Sequence, residues 1–297
     1  MDFRVRTDLA CESLLFDTDG EEGVEESLEE TGQFRISRVR ITSEAAAGRL
    51  DKPIGSYVTV DCGRITSLVD ADLSLLASLL SEELLSMTKH ATGKRPDADF
   101  SVFVVGLGNA ELTADAIGPQ TVGQLTATRH LREYEEPLYR RLGCSALSAL
   151  APGVLGQTGI ETLELIRGAV EHVRPDVVVV IDALAARSCE RLASTVQLSD
   201  VGITPGSGVA NHRSPITRKT VGVPVIAIGI PTVVNSATLV YDALRQAGIE
   251  KIDHALEQVL QSGKSFFVSP KESDVITHRV SMLLADAIGL AFTGDLG

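Results

Sequence analysis

The run VVVVIDALAARS, residues 177–188, decides the fold. Five branched apolar residues from Val177 to Ile181 stand in a row, a pattern that fits a strand buried on both faces of a parallel sheet. Asp182 follows at once. Open α/β sheets collect their chemistry outside the carboxyl ends of their strands, so this aspartate sits where such a fold places reactive groups. A second junction has the same form. SVFVVGLGNAELTADAIGP, residues 101–119, runs an apolar strand into a glycine turn and then presents Asp115. Strand ends distant in sequence become neighbours in such a sheet, and the pair suggests a two-carboxylate site.

Outward from these junctions the chain reads as repeated strand and helix patterns. CSALSALAP leads into a helix through TGIETLELIRGAVEHV, and VPVIAIGIP leads into one through VNSATLVYDALRQAG. Between the first strand and CSALSALAP, a single helix is expected through AIGPQTVGQLTATRHL. Strands separated by helix-length segments imply crossovers and a parallel sheet. Upstream, FRISRVRIT (34–42) and IGSYVTVDC (54–62) look like antiparallel edge strands, and the leucines of ADLSLLASLLSEELLSMTKH (71–90) are spaced as in an amphipathic helix. The tail, residues 266–292, is expected to give a short strand and a closing helix. Residues 11–33 include DTDGEEGVEESLEETG, half of it Asp or Glu, and read as an acidic flexible segment. The fold class expected is α/β: a three-layer sandwich around a central, mainly parallel mixed sheet with an N-terminal antiparallel extension, folded as one domain over residues 1–297.

Composition narrows the function. With 44% hydrophobic and 23% charged residues over 297 positions, the chain can bury a substantial core. Its 27 basic and 40 acidic residues give a formal charge of -13, which repels nucleic-acid backbones and favours a neutral or basic protein substrate. Cys11, Cys62, Cys144 and Cys189 are scattered singly and read as reduced thiols. No signal-peptide core and no uninterrupted membrane-length stretch is visible, which points to a cytoplasmic protein without a membrane partner.

Two neighbouring carboxyls can share a proton, giving one general base to activate water and one general acid to protonate a leaving nitrogen. That is sufficient for peptide hydrolysis. Taken singly, each aspartate also fits a helix or turn cap. Ser188, Cys189 and Ser207 are candidates for covalent catalysis, but no GxSxG elbow or paired histidine supports them. The turn GLGN lacks the third glycine of a dinucleotide fingerprint. Glycine-rich loops lie at 151–162, 201–213 and 228–238. The supporting set expected around the two acids is Gly108 and Asn109 in the first turn, Arg187 after the second strand, and Gly206, Ser207, Gly208 and His212 in the middle loop. No HExxH or ligand-spaced histidine pair occurs, and neither metal nor cofactor is expected. Two alternatives stand beside the peptidase reading: a metal-dependent peptidase, and a non-catalytic phosphate- or nucleotide-binding module.

RTDLA (6–10), KPIGSYVTVD (52–61), GLGNAELTADAIGP, TRHL (128–131), APGVLGQTGIET, IDALAARS, GITPGSGVANHR and GVPVIAIGIPTVV together closely resemble, in order, the germination protease family of spore-forming bacteria. The resemblance implies a phosphorylase/hydrolase-like fold akin to the hydrogenase maturation peptidases. It implies an aspartic-type endopeptidase of the spore cytoplasm, made as a zymogen and forming homotetramers. Its substrates would be small acid-soluble spore proteins, cut after Glu and before a hydrophobic residue. The family's two aspartates fall on Asp115, within TADAIGP, and Asp182, within IDALAAR; in the maturation peptidases the corresponding acids hold nickel with a histidine. Relatives carry a propeptide before the RTDLA block, where this chain has MDFRV, so residues 1–10 are expected to act as a short pro-segment cleaved near Phe3.

Overall fold

The computed structural model describes residues 22–206, 213–249, 256, 258–260 and 266–294. Nine strands form one mixed sheet: β1 (Val24–Thr31), β2 (Phe34–Ile41), β3 (Gly55–Asp61), β4 (Ser101–Gly106), β5 (Ala146–Leu150), β6 (Val177–Ala186), β7 (Thr195–Ser199), β8 (Val225–Asn235) and β9 (Phe267–Val268). The order is β1-β2-β3-β7-β8-β6-β4-β5, with β9 added to the far end of β8. β5, β4, β6 and β8 are mutually parallel, while β1, β2, β3 and β7 make an antiparallel wing. The helices are α1 (Glu44–Leu50), α2 (Asp70–Thr92), α3 (Ile117–Gln124), α4 (Arg129–Tyr134), α5 (Glu136–Leu142), α6 (Leu155–Thr158), α7 (Thr162–Val173), α8 (Arg218–Val221), α9 (Ser236–Gln246) and α10 (Ser273–Phe292).

Side-chain parity along β6 explains the layers. Val177, Val179 and Ile181 face α2, α3 and α10, where Leu76, Leu80, Leu84, Ile117, Val280 and Leu284 close over them. Val178 and Val180 face the other way, onto Ile166 and Val170 of α7. All five strand residues are fully buried, each contributing about 1.5–3 kcal/mol of transfer free energy, so the pattern cannot be satisfied by a sheet with one wet face. The expected α/β class holds, with the central sheet mixed.

Four local expectations need correction. Residues 24–31, placed in a flexible acidic segment, form the edge strand β1, and residues 11–21 lie outside the described ones. Charge pairing explains it: Glu25 stands opposite Arg40 and Glu30 opposite Arg35, while Arg38 reaches both Glu29 at 2.9 Å and the buried Glu83 of α2. Opposite charges facing one another across strands stabilise a pairing that acidic composition alone would argue against. The single helix expected over 116–131 is two, because Thr128 Oγ1 donates to Ser145 O at 2.6 Å and accepts from Leu147 N at 2.8 Å, pinning the chain to β5. β7 was not anticipated, since its alternate polar residues gave a weak signal, yet all five of its residues are buried. The loop expected at 228–238 is the distal half of β8 followed by the start of α9.

α10 also reaches the length and apolarity of a membrane span, which the sequence reading did not register, but 61% of its apolar window is buried in this fold against α2 and α3.

Gly106 and Gly118 carry the contact between β4 and α3. A Cβ on either would fall inside backbone atoms of the other segment, whereas one on Gly123, farther along α3, meets nothing. Gly106→Ala is therefore expected to lower stability by about 1–3 kcal/mol, and Gly123→Ala to raise it by about 0.5–1 kcal/mol. Urea unfolding of the two variants checks both signs.

Candidate active site

β4 ends at Gly106, and the next residue, Leu107, donates its N–H to Ile181 O of β6 at 2.8 Å. The chain then turns at Gly108, whose φ of 112° is in the region that favours glycine, and where any Cβ would run into the backbone carbonyl of Asp115. Asn109 N–H donates to Asp115 Oδ2 at 2.8 Å. A short 3-10 turn, Thr113–Asp115, carries the acid and is held from two sides: Thr232 Oγ1 of β8 donates to Ala114 O at 2.7 Å, and Thr277 Oγ1 of α10 donates to Thr113 O at 3.0 Å. The Asp115 carboxyl is half-buried. Burial raises its pKa above the ordinary carboxylate value, and the Asn109 N–H offsets part of that rise.

Asp182 follows Ile181 in β6, opposite Gly229 of β8. It is 6% exposed, and its Oδ1 accepts from the N–H of Ala183 at 3.0 Å. Gly106 of β4 pairs with Ile181 of β6, so the turn that carries Asp115 leaves β4 beside the residue that precedes Asp182. Leu107 is hydrogen-bonded to the residue before Asp182, Gly108 packs on Asp115, and Asn109 holds its carboxylate. Arg187 follows β6, five residues beyond Asp182, or roughly 16 Å of extended chain, which places its backbone away from the pair. Gly206 lies in a turn with φ 72°. Ser207, Gly208 and His212 lie outside the described residues.

The glycine-rich loops gather on this rim. Asn109 Oδ1 accepts from Gln157 Nε2 of α6 at 2.8 Å, and Glu161 lies 4.0 Å from Arg213, joining the 151–162 loop to the end of the 201–213 loop. Gln157, Thr232 and Thr277 were not foreseen. Gln157 could have been suspected from its place in a glycine-rich loop; nothing marked Thr277, on a helix far along the chain. A phosphate-binding role for the GLGN turn fits poorly, because the Asn109 N–H that would meet a phosphate already holds a carboxylate.

The sequence profile of the germination protease family matches residues 11–247. This chain belongs to the germination protease family. The germination protease of Caldanaerobacter subterraneus subsp. tengcongensis is 39% identical, covering 98% of this chain and 95% of its own length. That of Clostridium perfringens is 38% identical over 99% and 97%, and that of Bacillus pumilus 38% over 89% and 74%. Among solved structures, a NiFe hydrogenase maturation protease from Thermococcus kodakarensis is similar at 17% identity and a TM-score of 0.31, covering 65% of this chain and 93% of that one.

As a germination protease the chain is a peptidase, and its two acids can be tested against a metal-binding role. Among the described residues no three His, Cys, Asp or Glu side chains converge to hold an ion, and Asp115 Oδ2 already accepts a hydrogen bond. The described donors do not complete a metal set.

The raised pKa of Asp115 has a signed consequence for this protease. A carboxyl whose folded pKa exceeds its unfolded value of 3.8 binds more protons in the native state, so it lowers stability as pH rises through that interval. Asp115→Asn is expected to unfold at a higher denaturant concentration than the parent at pH 7, with the gap closing as pH falls toward 4. Urea titrations across that range check it, and a gap that widens on acidification would contradict the assignment.

Proposed function

We propose that this germination protease is an endopeptidase in which Asp115 and Asp182 act together on one water molecule and one amide. What supports the reading is the Leu107 N–H to Ile181 O hydrogen bond, which sets the turn holding Asp115 beside the residue that precedes the buried Asp182. Asp115 is biased by burial toward its protonated form. With Oδ2 engaged by Asn109, the proton of Asp115 belongs on Oδ1. Asp182 then takes a proton from the attacking water, and Asp115 gives its own to the leaving nitrogen. Each transfer is worth on the order of 10²- to 10⁴-fold in rate.

The substrates proposed are small acid-soluble spore proteins, cut after Glu and before a hydrophobic residue. A chain disordered when free can enter a rim cleft without first unfolding. The net charge of -13 keeps the enzyme off the nucleic acid such substrates protect. The remaining parts of the reading are a homotetramer, location in the cytoplasm of the spore core, and restraint by residues 1–10 until they are cleaved near Phe3. They rest on family membership.

Asp115→Asn and Asp182→Asn are each expected to lower kcat by about 10²- to 10⁴-fold with little change in KM, measured on a disordered spore-protein substrate. The double variant should be no worse than about tenfold below the poorer single one, since groups acting as a unit are strongly non-additive. Full activity in either single variant would end the dyad reading.

A further inference from the structure

A cavity of about 630 Å³ is lined by none of the residues of the carboxyl pair and has no assigned role. Its floor is apolar, built from Ile65, Leu192, Val234, Leu239, Val268 and Ile276. Two of these residues tie it to the catalytic turn. Val234 lies on β8 two residues after Thr232, which holds Ala114, and Ile276 precedes Thr277 on α10, which holds Thr113. Two strand residues span roughly 7 Å, so the cavity opens within a few residues of extended peptide from Asp115. Its mouth carries Arg64 and Lys271 against Glu190 and Glu272. In a molecule of charge -13 this balanced mouth is a place where an acidic segment is not turned away. Leu239, 45% exposed, sits at the rim.

We propose that this cavity is an extended-peptide subsite that seats an apolar side chain of the substrate two to four residues from the cleaved bond. The volume lies within the range of sites that enclose ligands, and it exceeds one side chain, so a short stretch of peptide enters with its apolar residue inward. This rests on the endopeptidase reading above. Selection at a distance from the cleaved bond would let the enzyme choose among disordered chains that share a common local sequence, using contacts that do not alter the chemistry.

Two peptides with the same cleaved bond test it, one carrying leucine two to four residues away on either side and one with glycine there. The parent enzyme is expected to favour the leucine peptide in kcat/KM by about tenfold to a hundredfold, chiefly through KM, and Leu239→Asp to reduce that preference to near unity. An unchanged preference in the variant, or none in the parent, overturns the proposal. A second measurement needs no change at the cavity. Cys189 lines it, and burial together with Asp242 pushes its thiol up to about 11, so alkylation is run at alkaline pH on the Asp182→Asn form. The leucine peptide should slow labelling of Cys189, read by peptide mass mapping, and the glycine peptide should not; equal labelling overturns the subsite. Failure of the endopeptidase reading looks different: neither peptide would be cut by the parent, or both would be cut by the aspartate variants.

Discussion

The close backbone approach at the end of β4 is the constraint on which the site depends. Gly106 and Gly118 let α3 lie against the strand with no side chain between them, and Gly108 lets the chain double back under the carbonyl of Asp115. Without that approach the 3-10 turn would stand off from the sheet, and Asp115 would be a solvated surface acid with an ordinary pKa. Because the turn is pressed onto the strand ends, its carboxyl is desolvated, and one N–H from Asn109 is enough to orient it without fully restoring the charged form. The seating of the turn and the raised pKa of Asp115 are therefore consequences of the same three glycines.

What the sequence discloses follows from which signals are local. β6 was readable because five branched residues in a row have few alternatives, and Asp182 was readable because it ends that run. Asp115 could be placed at a strand end from the GLG turn before it. β1 was not readable, since its acidic side chains look solvated until Arg35, Arg38 and Arg40 of β2 are set opposite them. β7 was lost for a related reason: Thr195, Gln197 and Ser199 look like a surface strand, and only the sheet order, with β3 on one side and β8 on the other, shows that they are covered. Cross-strand partners are long-range facts, and composition in a short window does not carry them. The clamps on the Asp115 turn escaped notice in the same way, because Thr232 and Thr277 are hydroxyls whose acceptors lie 118 and 164 residues away.

The placement of charge divides the molecule into two regimes. On the antiparallel wing the acids are paired with arginines, and pairs of this kind, largely in water, contribute little beyond fixing register. On the parallel side the two aspartates are withdrawn from solvent, and each accepts a backbone N–H.

α10 has a double part in this arrangement. Its apolar face forms much of the layer that buries Val177, Val179 and Ile181, so it cannot move far without opening the core. Its N-terminal end carries Thr277, which holds the Asp115 turn, and Ile276, which lines the neighbouring cavity. A displacement at the N-terminal end of α10 would act on both the acid and the cavity, while the remaining turns stay anchored against α2. Coupling two functions through the least buried end of an otherwise fixed helix confines the motion to one turn, which is where local opening costs least free energy. The same geometry means that substitutions deep in α10 act on the core, whereas substitutions near its N-terminal end act on the Asp115 turn and the cavity lining.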